Sequence, residues 1–166
     1  IEMADEDYPE YGLTELDATY DEAYEYEKEL YPIRTDKKVV SVLEREYFHE
    51  DKRGEYFYFG AINFDVQSGK ELTLENIFKS GTEWSAILKT KLQEKYPAFS
   101  YDAQALAEEN LIWTVGYKGV SIYFNGTDMN QPIKVSVTYD EYPDIFVKDY
   151  LPNEKDILLA NSKVFA

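Results

Sequence analysis

The chain has 166 residues, the length of one ordinary domain, and carries 33 acidic against 17 basic side chains for a formal charge of −16. Such a length predicts one core that buries about two thirds of the unfolded surface. The charge excludes nucleic acid and anionic lipid as partners and steers cationic ones. There is no cysteine, so disulfides, thiolate metal ligands and cysteine nucleophiles are excluded. No apolar run approaches the roughly 18 residues needed to cross a bilayer. The acidity is concentrated at the start: residues 1–30 hold 12 acids and one base, Lys28, leaving a net −5 for the rest.

Residues 1–12 mix Asp, Glu, Pro9 and Gly12 without periodicity and read as an acidic, flexible entry segment, followed by one domain over 13–166. Leu16, Tyr20, Ala23, Tyr24, Leu30 and Tyr31 approximate the spacing of an amphipathic helix, opened by Thr14 and Asp17 and stopped by Pro32. Lys38 to Phe48 and Glu55 to Val66 are rich in β-branched and aromatic residues, and Asp51 to Gly54 between them supplies a hairpin turn. Gly60, mid-strand, suggests a bulge that switches which side chains face inward. Gln67 to Lys70 is a turn in which Gly69 takes positive φ.

Thr73 then caps a short helix through Phe78, and Thr82 opens a longer one with Trp84, Ile87, Leu88 and Leu92 on one stripe and Pro97 as its stop. Asp102 caps a third helix to Glu109. Leu111 to Tyr117 and Val120 to Asn125 flank Lys118-Gly119, a tight hairpin connection, and Ile133 to Tyr139 alternates as a further strand. Asp144 to Tyr150 and Asn153 to Ala160 read as short helices on either side of Pro152. These elements predict a single α+β domain, a mostly antiparallel sheet of about five strands with helices covering one face.

Reactive chemistry is thinly represented. His49 is the sole histidine, standing beside Glu46 and Glu50 near a turn, and a second histidine to complete a metal pair does not exist. No serine lies in Gly-x-Ser-x-Gly. Glu108-Glu109 and Asp140-Glu141 are candidate carboxylate pairs for glycan hydrolysis, but pairs arise by chance among 33 acids. Asn125 to Asn130 places oxygen side chains at alternate positions yet lacks the terminal bidentate acid of a calcium loop, and Asn125-Gly126-Thr127 is a glycosylation sequon. No cofactor, metal or catalytic residue is expected. What stands out is the aromatic content, 16 Tyr, 9 Phe and 2 Trp. Tyrosine joins apolar area to a polar tip and serves both glycan platforms and protein interfaces, so Tyr47, Tyr56, Tyr58 and Tyr123 are the candidate ligand-binding residues. The alternative for all four is half-buried sheet packing.

The segment from Gly54 to Phe78 joins an aromatic strand, Asn63-Phe64-Asp65, the turn Ser68-Gly69-Lys70, and Leu72-Thr73-Leu74 leading into Ile77-Phe78. With Val39 to Tyr47 before it and Val120 to Asn125 and Val135 to Tyr139 after it, this order resembles the RsiV-like family over roughly Leu16 to Tyr150. Tyr58-Phe59-Gly60-Ala61 and NGTDMNQP depart from the Gly-Gly-Ala-His-like segment and the aromatic loop of many relatives. Members of that family are extracytoplasmic domains of a lysozyme-sensing membrane anti-sigma factor and accessory domains of polysaccharide deacetylases. The resemblance implies an extracytoplasmic, non-enzymatic recognition domain, with a membrane or lipid anchor upstream of Ile1 and a basic protein such as lysozyme as partner. The alternatives are a module that binds peptidoglycan or another polysaccharide, and a carboxylate-based hydrolase.

Overall fold

A computed structural model describes residues 24–50, 54–98, 106–125 and 133–157. Strands β1 (Tyr24–Thr35), β2 (Val39–Glu50) and β3 (Gly54–Asp65) form one antiparallel sheet in that order. Helices α1 (Leu74–Ile77) and α2 (Trp84–Lys95) follow, and β4 (Ile112–Val115), β5 (Gly119–Phe124) and β6 (Ile133–Thr138) form a second. The class is α+β, as expected, but the strands are divided between two three-stranded sheets and do not form one of five. The reason lies at the β3/β4 boundary. There the neighbours exchange side-chain bonds in place of a backbone ladder: Asn63 Nδ2 donates to Trp113 O at 2.7 Å, and Val115 N donates to Ser41 Oγ at 3.1 Å.

The expected helix up to Tyr31 is a strand from Tyr24 onward, and residues 13–23 of that expectation lie outside the described residues. Tyr24 to Leu30 also alternates with a period of two, Glu25, Glu27 and Glu29 interleaving with Tyr24, Tyr26, Lys28 and Leu30, and the ladder to β2 selects that reading. Pro32 does not stop the element. It sits within an edge strand, beside a register shift between Pro32 and Arg34. Gly60 makes no bulge either, because β2 and β3 stay in unbroken register with Gly60 opposite Glu44. A Cβ there would lie 3.1 Å from Glu44 Oε2, so the glycine leaves room for a carboxylate.

The other elements are closer to expectation. Gly69 has φ 67° in the turn after β3. Thr73 precedes α1, where Asn76 Oδ1 accepts the Thr73 N–H at 2.9 Å. In α2, Leu88 and Leu92 are buried and Trp84 and Ile87 pack against the core. The β4–β5 hairpin turns around Tyr117-Lys118, one residue earlier than expected, since Gly116 N donates to Gly119 O at 2.8 Å. At Gly119, φ is 147° and a Cβ would meet Val137 O at 2.2 Å.

Asp102 lies outside the described residues, and the stretch after it ends in a 3-10 turn at Glu108–Asn110. Asp144 to Tyr150 is not a helix. Phe146 bridges to Phe78, carrying the backbone into an extended crossing before a 3-10 turn at Lys148–Tyr150. A helical turn does start after Asn153, whose Oδ1 accepts the Asp156 N–H.

The core sits on the apolar face of the second sheet. Val115, Val120, Val137, Trp113, Ile122 and Val135 meet Leu74, Ile77, Leu88, Leu92 and Phe146 there, so the helices cover one face as the pattern predicts. Burial along β2 falls away with distance from this core: Val39, Ser41 and Leu43 are buried, whereas Arg45 and Tyr47, on the same face, are half-exposed.

Candidate functional site

Paired residues of an antiparallel ladder share a face, so the first sheet sorts into two surfaces. The outer one carries Tyr26, Leu30, Val42, Phe48, Tyr58, Ile62 and Phe64. Leu30 is 59%, Tyr58 51% and Tyr26 47% exposed, and Phe64 and Ile62 are also exposed. Three rings run across the strands: Tyr26 and Phe48 have centroids 4.9 Å apart at an interplanar angle of 50°, and Phe48 and Tyr58 are 5.8 Å apart at 83°. Lys28 threads this apolar surface with salt bridges of 3.1 Å to Glu46 and 3.4 Å to Glu44. The hydrogen bonds it donates to Glu46 and then Glu44 raise its ammonium above its ordinary pKa.

The opposite surface of the same sheet, beyond the core, is acidic. Glu25, Glu27 and Glu29 project from β1 beside Arg45, Tyr47 and His49 of β2 and Glu55 and Phe57 of β3. Arg45 is engaged twice, by Glu29 at 3.1 Å and by the Phe57 ring at 4.4 Å from its centroid. His49 Nδ1 lies 3.9 Å from Glu55. Desolvation, and then the neighbouring Glu55, Glu25 and Glu27, push the Tyr47 hydroxyl above its ordinary range.

The four tyrosines singled out from sequence do not share one surface. Tyr58 is on the outer face and the Tyr56 backbone pairs with Phe48 on that face. Tyr47 is on the acidic face, half-buried, with its ring 5.1 Å from Phe57. Tyr123 is 4% exposed, its hydroxyl 3.3 Å from Thr114 Oγ1 and its ring stacked on Phe59 at 6.5 Å, so it serves the joint between sheets. Sequence reasoning missed Tyr26, Leu30, Phe48, Ile62 and Phe64. The period-two pattern of β1 was the signal that would have placed Tyr26 and Leu30 beside Tyr58.

One carboxylate of each candidate pair has structural partners. Glu108 Oε1 accepts the Leu74 N–H at 2.5 Å, at the start of α1, and Glu141 takes Lys91 at 2.8 Å and Thr138 at 2.8 Å. The hydrogen bond from Lys91 holds the Glu141 carboxyl below its ordinary range. Asp36 forms a buried pair with Arg34, Nε to Oδ2 2.6 Å, with side chains 3% and 0% exposed, and its Oδ1 accepts the N–H groups of Lys38 and Val39. Burial alone would raise the Asp36 carboxyl, but these bonds outweigh it and hold it low. Burial pushes the Tyr139 hydroxyl up to about 12. Among the described residues no three His, Asp or Glu side chains converge as a metal site. Asn125 is fastened to β3: its Oδ1 accepts the Phe59 N–H at 2.9 Å and its Nδ2 faces Phe59 O at 3.3 Å, while residues 126–132 lie outside the described set.

No protein-family profile matches the sequence, and no curated protein does. Solved structures do share its fold. A DUF3298 family protein from Pseudomonas aeruginosa PAO1 superposes with a TM-score of 0.57 at 13% identity, covering 79% of this chain and 66% of that one. A member of the same family from Bacteroides fragilis NCTC 9343 gives 0.56 at 13% identity, covering 76% of this chain and 56% of that one. The chain thus spans under two thirds of the length of each of these structures, and what it shares with the DUF3298 proteins is their fold.

Proposed function

We propose that this chain is a non-enzymatic, extracytoplasmic recognition domain that binds a cationic protein, lysozyme being the prime candidate. The observation that carries this reading is the exposed aromatic and aliphatic face of the first sheet, backed by an acidic surface on the same strands. Exposed apolar surfaces of this kind mark interaction sites. Aromatic anchors set the lifetime of a complex, while the charge of −16 raises the rate of encounter with a basic partner. The RsiV-like resemblance of the Asn63-Phe64-Asp65 segment points the same way.

Calorimetry with hen lysozyme tests it. Binding is expected at low ionic strength and is expected to weaken at about 0.15 M salt, where charges are screened beyond about 8 Å. Tyr58→Ser and Leu30→Ser are each expected to cost at least about 1 kcal/mol of affinity. Absence of binding at low salt sinks the proposal. The row of three rings across the sheet favours a second reading, a cell-wall glycan module. Angles of 50° and 83° give sugar rings no common plane to stack on, so the protein partner is preferred. Affinity for soluble peptidoglycan fragments, with none for lysozyme, would reverse that preference.

A further inference from the structure

Two three-stranded sheets have four outer edges, and on three of these some of the outward backbone groups are bonded by other described residues. Outside β3, Leu72 N donates to Asn63 O at 2.8 Å, Asp65 N to Lys70 O at 2.9 Å and Phe59 N to Asn125 Oδ1 at 2.9 Å. Outside β4, Trp113 O and Val115 N are taken by Asn63 and Ser41. Outside β6, Lys134 O accepts from Lys95 Nζ at 3.0 Å and from Tyr96 OH at 3.3 Å. Beyond β1 no strand lies among the described residues.

The register tells which groups of β1 point outward. Asp36 N donates to Val39 O at 3.0 Å, which makes these two a hydrogen-bonded pair, and alternation makes Arg34 and Ser41 the next. Val66 N donates to Lys38 O at 2.9 Å, which turns Val40 and Val42 toward β3 and leaves Ser41 and Leu43 for β1. Pro32, opposite Val42, therefore sits where its missing N–H would face away, and Leu30 and Lys28 repeat that orientation. Their N–H and C=O groups form an outward row on an exposed strand.

We infer that the β1 edge accepts an extended segment of a cationic partner protein as a fourth strand, an inference that rests on the recognition role proposed above. The side chains choose the occupant. An added strand alternates its side chains between faces. On one face it meets Glu25, Glu27 and Glu29, all exposed, and on the other Tyr26, Leu30 and, between them, Lys28, whose charge is taken up by Glu44 and Glu46. A segment alternating lysine or arginine with aliphatic or aromatic residues complements both, while main-chain bonds supply the common part of the affinity. A second copy of β1 would set the same three glutamates against one another, which disfavours a homodimer.

The test uses the full chain and two blocked peptides of alternating lysine and valine, one of them N-methylated at each position that would bond β1. Fluorescence anisotropy at low salt is expected to show the plain peptide binding at least about tenfold more tightly, since each lost main-chain bond removes part of a tenfold step. Lys28→Pro, which deletes an outward N–H, is expected to weaken the plain peptide, and Lys28→Ala to spare most of the binding. Equal binding of the two peptides overturns the inference. So does slow amide exchange at Lys28 and Leu30 in the peptide-free chain, which would mean that the chain's own residues fill the edge, and so does dimerisation with concentration. Lysozyme titrated in parallel separates the two proposals. If it binds Lys28→Pro as well as the native chain, strand addition falls and the recognition role stands; if the peptide binds and lysozyme does not, the reverse holds.

Discussion

Buried Asn63 donates to Trp113 O while its Oδ1 accepts the hydroxyl of Ser41, whose own oxygen accepts the Val115 N–H. One amide thus satisfies a second sheet's edge, and cutting it back strands buried groups on both sides. Asn63→Ala is expected to cost about 2–4 kcal/mol in urea unfolding and Ser41→Ala about 1–2 kcal/mol. A loss below about 1 kcal/mol for Asn63→Ala would show that the sheets are held by apolar packing alone. At Asp36 the folded carboxyl titrates below the ordinary 3.8, so its contribution is fully present above that value and is lost as pH falls through the lower folded one. Asp36→Asn is expected to be less stable at neutral pH, leaving Arg34 buried without its counter-charge, and to flatten the acid limb of the stability curve. Tyr139 works at the other end: with its hydroxyl raised to about 12, the neutral form is favoured in the fold, and stability declines as pH climbs from 10 toward 12. The sequence displays Asn63 and Asp65 plainly as a motif, yet their work depends on Trp113 and Tyr150, partners 50 and 85 positions away. No local pattern encodes such a distance.

Single elements were legible where one period dominated. The strand Ile133–Thr138 shows strict alternation with Val135 and Val137 buried, and α2 shows one apolar stripe, and both came out as the pattern says. Strand β1 failed because its tyrosines and leucine fit two periods, and the competition is settled by β2, which offers eleven residues of ladder. The aromatic face was lost with it, since rings on a helix and rings on a strand have different neighbours. Glycines carry element-level information too, and two of them make forecasts of unequal size. Gly119→Ala is expected to destabilise by at least about 3 kcal/mol, because its Cβ would collide with Val137 O, whereas Gly69→Ala, in open space at φ 67°, should cost only about 1 kcal/mol. Thermal unfolding of both variants checks the order, and a Gly119→Ala protein as stable as Gly69→Ala would mean that the hairpin can relax away from β6.

For the molecule as a whole, the division into two sheets was hidden because the join is made by side chains, which leave no periodic trace in sequence. The charge, by contrast, was visible at once, and it makes its own forecast. At −16 the folded chain repels itself, so its melting temperature is expected to rise between low ionic strength and about 0.3 M salt as that repulsion is screened. A fall over the same range would mean that ion pairs such as Arg45–Glu29 outweigh it. The closing of the β3, β4 and β6 rims by Lys70, Asn63 and Lys95 has a further effect. Among the described residues those borders already spend part of their outward bonds on the chain itself, so under the strand-addition proposal a partner docks at β1 in preference to them. Crowded molecules with a single receptive border are expected at most to pair off and to stay apart from their other neighbours, with no growth into fibres.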